Sequence, residues 1–196
     1  MTGEPDVVLR DVTLRDGLQD EAPVPTEAKL AVFEALVAAG VRELELTSFV
    51  RPDRVPAMAD AEALCAATAE APVRRWGLVL NVRGAERALA AGVRDLQFVV
   101  SVSDEHSRRN AGRSAGAALG ALEEVCALTG PAGAAVEVTL ATAFGCPYEH
   151  RVPPAAVVAA AERSAAAGVA SVGLADTIGV AVPTAVSYTH LTLPTN

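Results

Sequence analysis

In the string Thr13-Leu14-Arg15-Asp16-Gly17-Leu18-Gln19-Asp20-Glu21, a strand-like run ends in an adjacent cation and anion, and a glycine then turns the chain. Arg15 has forked donors that can hold a carbonyl or enolate oxygen, and Asp16 is a hard oxygen ligand suited to Mg²⁺ or Mn²⁺. An isolated Arg-Asp-Gly reads most simply as a surface ion pair at a strand end. Here it has company. Polar residues close the other β-branched runs as well: Glu45 with Thr47-Ser48, Asn81, Ser101 and Ser103, Thr142, and Asp176-Thr177.

The elements that must position these residues alternate along the chain. β-Branched runs at 7–14, 41–47, 73–80, 93–102, 135–142 and 169–175 predict strands. Ala- and Leu-rich stretches at 26–39, 59–70, 85–91, 115–128 and 154–167 predict the helices between them. Three helices run into a glycine (Gly40, Gly92, Gly168) just before a valine that opens a strand. A glycine there supplies the left-handed residue that ends a helix. Repeated βα units predict a parallel sheet with right-handed crossovers. Polar groups at many strand ends favour a barrel mouth over an open sheet with one switch point. Neither a G-x-G-x-x-G fingerprint nor a P-loop follows any strand. The expected class is α/β, a (β/α)₈ TIM barrel that is incomplete, with about six βα units and strands seven and eight missing.

Composition bounds the partners. The 196 residues are 51% hydrophobic and carry a net charge of −8, which disfavours a general electrostatic grip on nucleic acid or an anionic membrane. Three widely spaced cysteines (Cys65, Cys126, Cys146) form neither a disulfide framework nor a zinc pattern. With no secretory leader and no membrane-length apolar run, a cytoplasmic protein is expected.

The strings together are similar to the 3-hydroxy-3-methylglutaryl-CoA lyase family of the DRE-TIM metallolyase superfamily. The resemblance runs over about residues 7–184 through Arg15-Asp16-Gly17, Glu45-Leu46-Thr47-Ser48-Phe49-Val50, Val55-Pro56, Met58-Ala59-Asp60, Asn81-Val82-Arg83-Gly84, 103–110, Phe144-Gly145-Cys146-Pro147-Tyr148-Glu149 and Asp176-Thr177-Ile178-Gly179-Val180. It implies metal-dependent cleavage of 3-hydroxy-3-methylglutaryl-CoA to acetyl-CoA and acetoacetate. Arg15, Asp16, Glu45 and Asp176 are then the catalytic residues, with Asp16 the ligand of Mg²⁺ or Mn²⁺. Arg15 stabilises the thioester enolate, Glu45 orients its neighbours, and Asp176 handles the proton of the tertiary hydroxyl. Arg15, Gln19, Ser48, Asn81, Thr142 and Thr177 are the implied substrate contacts. The implied partner is an acyl-CoA, and homo-oligomerisation is an expectation.

The rival readings are a Claisen-type condensing synthase of the same superfamily and a non-catalytic acyl-CoA-binding remnant. The family's His-x-His on strand seven, its Asn near strand eight and the Cys of its later Gly-rich loop have no counterpart in these residues. The 196-residue chain is therefore expected to be inactive, and an open arc of strands to favour association. Residues 1–186 are expected to form the partial barrel domain. Residues 187–196, uncharged and Thr-rich, are expected to be a non-native or irregular tail. Cys146 is expected to be a structural thiol, His106 a loop histidine, and Arg108, Arg109 and Arg113 a solvated face that could also meet CoA phosphates.

Overall fold

A computed structural model describes the backbone of residues 8–192 and the side chains as far as Ser187. Strands and helices alternate as expected, and the sheet order β1-β2-β3-β4-β5-β6 follows the chain. The chain divides into two compact units.

The first unit, residues 1–79 and 83–96, holds β1 (Arg10–Asp11), α1 (Thr26–Ala38), β2 (Glu43–Ser48), α2 (Ala61–Ala67), β3 (Arg74–Val79) and α3 (Val82–Ala90). β1 pairs with β2 and β2 with β3, both in parallel. The β2–β3 register shifts between Glu45 and Thr47: Glu45 is opposite Trp76 and Thr47 opposite Gly77, so Leu46 is an extra residue, a bulge. Consecutive partners lie on opposite faces of a sheet, so Glu45 and Thr47 face opposite ways and Ser48 returns to the face of Glu45. Leu44, Leu46, Phe49, Met58, Leu64, Trp76 and Val79 form this unit's core. At the N-terminal ends of its strands, Trp76 is capped by Arg10 and Arg74, whose guanidinium carbons lie 3.7 and 4.6 Å from its ring centroid. Its indole N–H donates to Glu43.

The second unit, residues 80–82 and 97–196, holds most of β4 (Asp95–Ser101), then α4 (Asp104–Ala111), α5 (Ala115–Thr129), β5 (Ala135–Ala141), α6 (Pro154–Ala166), β6 (Ser171–Leu174) and α7 (Pro183–Thr192). β5 and β6 are parallel, with Glu137 opposite Ser171 and Leu140 opposite Leu174. Phe98, Val100, Leu122, Val125, Val138, Leu140 and Val157 form its core.

Several boundaries differ from the sequence reading. The first strand contracts to Arg10–Asp11, because Thr13–Gly17 winds into one π-helical turn. The second helix, expected over 59–70, shortens to α2, and a 3₁₀ turn at Pro56–Met58 precedes it. The stretch 103–110, expected as a loop, is α4: Ser103 accepts the N–H of His106 as its N-cap, and Gly112 closes it with φ 69°. In the stretch 187–196, set apart in the sequence, the backbone from Ser187 to Thr192 continues α7, and 193–196 lie outside the described residues. The glycine stops stand as read, with φ of 91°, 80° and 88° at Gly40, Gly92 and Gly168.

Candidate active site

The π-helical turn after β1 delivers Arg15. Both Asp16 and Gly17 donate their backbone N–H to the Val12 carbonyl, and Leu14 plugs the core beneath at 1% exposure. Single π turns of this kind gather at functional positions. Arg15 Nε donates to Glu45 Oε2 at 2.5 Å, its Nη2 also meets Glu45, and its Nη1 donates to Asp16 Oδ1 at 2.6 Å. Side-chain exposure grades outward from 5% at Glu45 through 13% at Arg15 to 62% at Asp16. Burial pushes the Glu45 carboxyl above its usual range, and the Arg15 guanidinium opposes that rise. The result is a fixed cation, anchored from behind on a buried anion, with remaining donors on Nη1 and Nη2 for a ligand oxygen.

Ser48 ends β2 with no exposed surface, and its hydroxyl has no hydrogen-bond partner among the described residues. A buried hydroxyl left unpaired is costly, and this one keeps its hydrogen-bonding capacity for a water or a ligand. Gln19 is half-buried just beyond the turn.

In the second unit the strand ends are tied by neutral groups. Thr142 follows β5 with φ 60°, a left-handed backbone that is uncommon and strained for a β-branched residue, and it has no exposed surface. Its N–H donates to Thr177 Oγ1 at 2.7 Å, and its hydroxyl donates to the Ala141 carbonyl while accepting the Ser103 N–H. Thr142 and Thr177 are thus brought together, with the Thr142 hydroxyl turned into the chain. Asp176 accepts N–H groups from Val180 and Ala181, and these bonds, that of Ala181 foremost, hold its carboxyl below the usual range. Asn81 is exposed, directly ahead of α3.

Cys146 has no exposed surface; Ser103 Oγ lies 3.0 Å from its sulfur, and the N–H groups of Tyr148 and Glu149 approach at 3.4 Å. Burial opposes its ionisation, but the Glu149 N–H, the Ser103 hydroxyl and the Tyr148 N–H together draw the thiol below its ordinary value. Burial drives Cys65 up to about 11 and also raises Cys126. His106 is a residue of α4 rather than of a loop, its Nδ1 2.8 Å from Ser101 Oγ, and burial lowers its pKa. Arg108 and Arg109 pair with Asp104 and Glu105 one helical turn away, a solvated face. Sequence reading missed the part Ser103 plays. It caps α4, contacts Cys146 and reaches Thr142, and the signal was a Ser followed by two acidic residues.

Among the described residues, no three His, Cys, Asp or Glu side chains are placed to share a metal ion. Asp16 alone does not make a metal centre, so the donor set present here does not fit the Mg²⁺ or Mn²⁺ that the resemblance implies. Also among the described residues, no helix is long and apolar enough to cross a membrane.

Comparison with known proteins gives a consistent answer. The chain is 36% identical to hydroxymethylglutaryl-CoA lyase YngG of Bacillus subtilis over 179 residues, 90% of this chain and 60% of that one. It is 37% identical to the (R)-citramalyl-CoA lyase of Chloroflexus aurantiacus over 193 residues, 92% of this chain and 61% of that one. The solved structure of an HMG-CoA lyase from Acinetobacter baumannii, in complex with coenzyme A and 3-methylmalate, superposes with a TM-score of 0.87. That match has 30% identity and covers 94% of this chain and 61% of the other. The chain thus spans about six tenths of the length of these relatives, and its fold is an incomplete (β/α)₈ barrel. The HMGL-like family profile matches residues 6–193, and the chain belongs to that family.

Proposed function

We propose that this chain carries the enolate-stabilising part of a carbon–carbon lyase that cleaves 3-hydroxy-3-methylglutaryl-CoA to acetyl-CoA and acetoacetate. The observation that supports it is the Arg15 guanidinium, anchored on buried Glu45 with donors to spare, in a chain of this family. As the carbon–carbon bond breaks, the tertiary hydroxyl loses its proton and becomes the ketone of acetoacetate. The bonding pair passes to the thioester as an enolate, which takes up a proton at carbon to give acetyl-CoA. A cation fixed where that charge develops lowers the transition state more than the ground state. Glu45 keeps Arg15 from following the charge. Asp176, its carboxyl held ionised by backbone N–H groups, suits acceptance of a hydrogen bond from the tertiary hydroxyl better than full removal of its proton.

Gln19, Ser48, Asn81, Thr142 and Thr177 are assigned to substrate contact. Asp16 offers one oxygen donor for the divalent cation, and no step here passes through the metal. With that donor set the 196 residues are expected to hold an acyl-CoA without turning it over. The citramalyl-CoA lyase is as similar as the hydroxymethylglutaryl-CoA lyase, which favours a second reading in which the acyl group is citramalyl.

Calorimetric titration of the chain with 3-hydroxy-3-methylglutaryl-CoA and with (R)-citramalyl-CoA tests this reading, with acetyl-CoA release followed in the same samples with Mg²⁺ or Mn²⁺. The expected result is binding of the first that Arg15→Met weakens about tenfold or more, the scale of a lost charge-assisted hydrogen bond. Folded chain that binds neither thioester would defeat the proposal, and tighter binding of citramalyl-CoA would move it to the second reading.

A further inference from the structure

The mechanism leaves one buried cation unused. Lys29, on α1, is 2% exposed; its ammonium donates to the Ala57 carbonyl at 2.6 Å and to Asp60 Oδ1 at 2.5 Å. The other oxygen of Asp60 accepts the Thr26 hydroxyl at 2.8 Å, so α1 grips the 3₁₀ turn Pro56–Met58 and the start of α2. A lysine is almost never buried without a partner, and burying this one is costly. What it holds explains the expense. Met58, between the two anchor points, is 1% exposed, and its sulfur receives the hydroxyl of Thr47 at 3.7 Å. Thr47 is the first paired residue after the β2 bulge, the irregularity that turns Thr47 toward the loop and leaves Glu45 facing Arg15.

The loop is gripped at its other end as well. Arg87, on α3, donates to the Val50 carbonyl at 3.0 Å, is held by Glu62, and lies over the Phe49 ring. Phe49 in turn lies against the backbone of β3, where a Cβ on Gly77 would come within 2.8 Å of its ring. Bulges recur beside active sites because they re-aim a side chain, but an irregular strand end holds its shape only if its surroundings determine it.

We infer that Lys29 is a positioning residue: by fixing the 49–60 loop from outside, its ammonium holds the β2 bulge and so the carboxylate on which Arg15 is anchored. This deepens the proposed function, resting on Arg15 and Glu45 as its working groups, but it is tested without substrate. The probe is the Arg15 Nε–H, observed by ¹⁵N-resolved NMR in arginine-labelled protein, with its exchange rate against water as the readout. In Lys29→Met the exchange should accelerate about tenfold, as the hydrogen bond to Glu45 opens more often. Asp60→Asn, which keeps the shape and weakens the grip, should give a smaller increase of the same sign. Phe33→Leu, a core change one turn further along α1 that leaves the Lys29 hydrogen bonds in place, should leave the rate unaltered at a comparable loss of Tm. Unchanged Arg15 exchange in Lys29→Met would show a lysine that serves stability alone and overturn the inference. If that variant does not fold, the same criterion applied to Asp60→Asn decides. Wild-type chain that binds neither thioester, with exchange still faster in Lys29→Met, would defeat the proposed function and leave this inference standing.

Discussion

Two glutamates two residues apart on β2 both meet arginine, and they are used differently. Glu43 belongs to a closed cluster. Its carboxylate receives Arg74 at 3.2 Å and the Trp76 indole, lies 3.5 Å from Arg10, and Arg74 passes on to Asp95 at 2.7 Å. Both arginines stack on a tryptophan only 3% exposed, so each charge is answered inside the cluster. Glu45 belongs to an open one: its buried carboxylate holds Arg15, which also meets an aspartate more exposed than covered, and Arg10 acts on it through its charge. In parallel strand–helix folds the N-terminal strand ends carry stability and the C-terminal ends carry chemistry. The same residue types serve both here, and what separates them is whether any donor is left over for a ligand.

Removing the indole should break the closed cluster outright. Trp76→Ala is expected to cost about 3–5 kcal/mol, read from urea unfolding, through the cavity and the two unstacked arginines. A loss below about 1 kcal/mol would mean that the cluster is ornamental. The open end should respond less and in a pH-dependent way. Glu45→Gln is expected to cost about 1 kcal/mol or less at neutral pH, because burial already opposes the charge it removes. The folded-state pKa of Glu45 lies above its ordinary 4.5. Its contribution is therefore complete below that value and declines as pH rises through the folded value. Wild-type Tm should fall relative to Glu45→Gln over that interval; a gap that widens in favour of wild type would reverse the assignment. The smallest effect is expected at the rim of the closed cluster. Asp95→Asn removes a half-exposed ion pair and should cost about 0.2–1 kcal/mol in the same urea experiment, less in high salt.

Much of this was legible in the residues. Glycine before valine marked three helix ends because a left-handed residue is needed there and little else supplies it. Arg15, Asp16 and Glu45 came from the string and the resemblance, and the structure joins them. Less visible was what depends on partners far along the chain. Lys29 reads as one more helical lysine until Asp60 and the Ala57 carbonyl, about thirty residues later, are placed around it. α4 was hidden for the opposite reason: its capping serine, acidic first turn and basic last turn were all present, but a helix so polar shows no apolar stripe. The shortness of β1 was beyond pattern reading, since 7–14 reads as one β-branched run while Thr13–Gly17 coils.

The bulge at Leu46 also sets a rule for how this strand can change length over generations. Leu46 is the residue without a counterpart on β3, so losing its codon would leave every later pairing where it is, at the cost of a hole where a fully buried leucine stood. An added codon inside the paired stretch 47–48 would instead turn the side chains beyond it onto the wrong side of the sheet. Insertions and deletions are thus read in a frame of their own here, and for β2 the tolerated position is the one that already breaks the count.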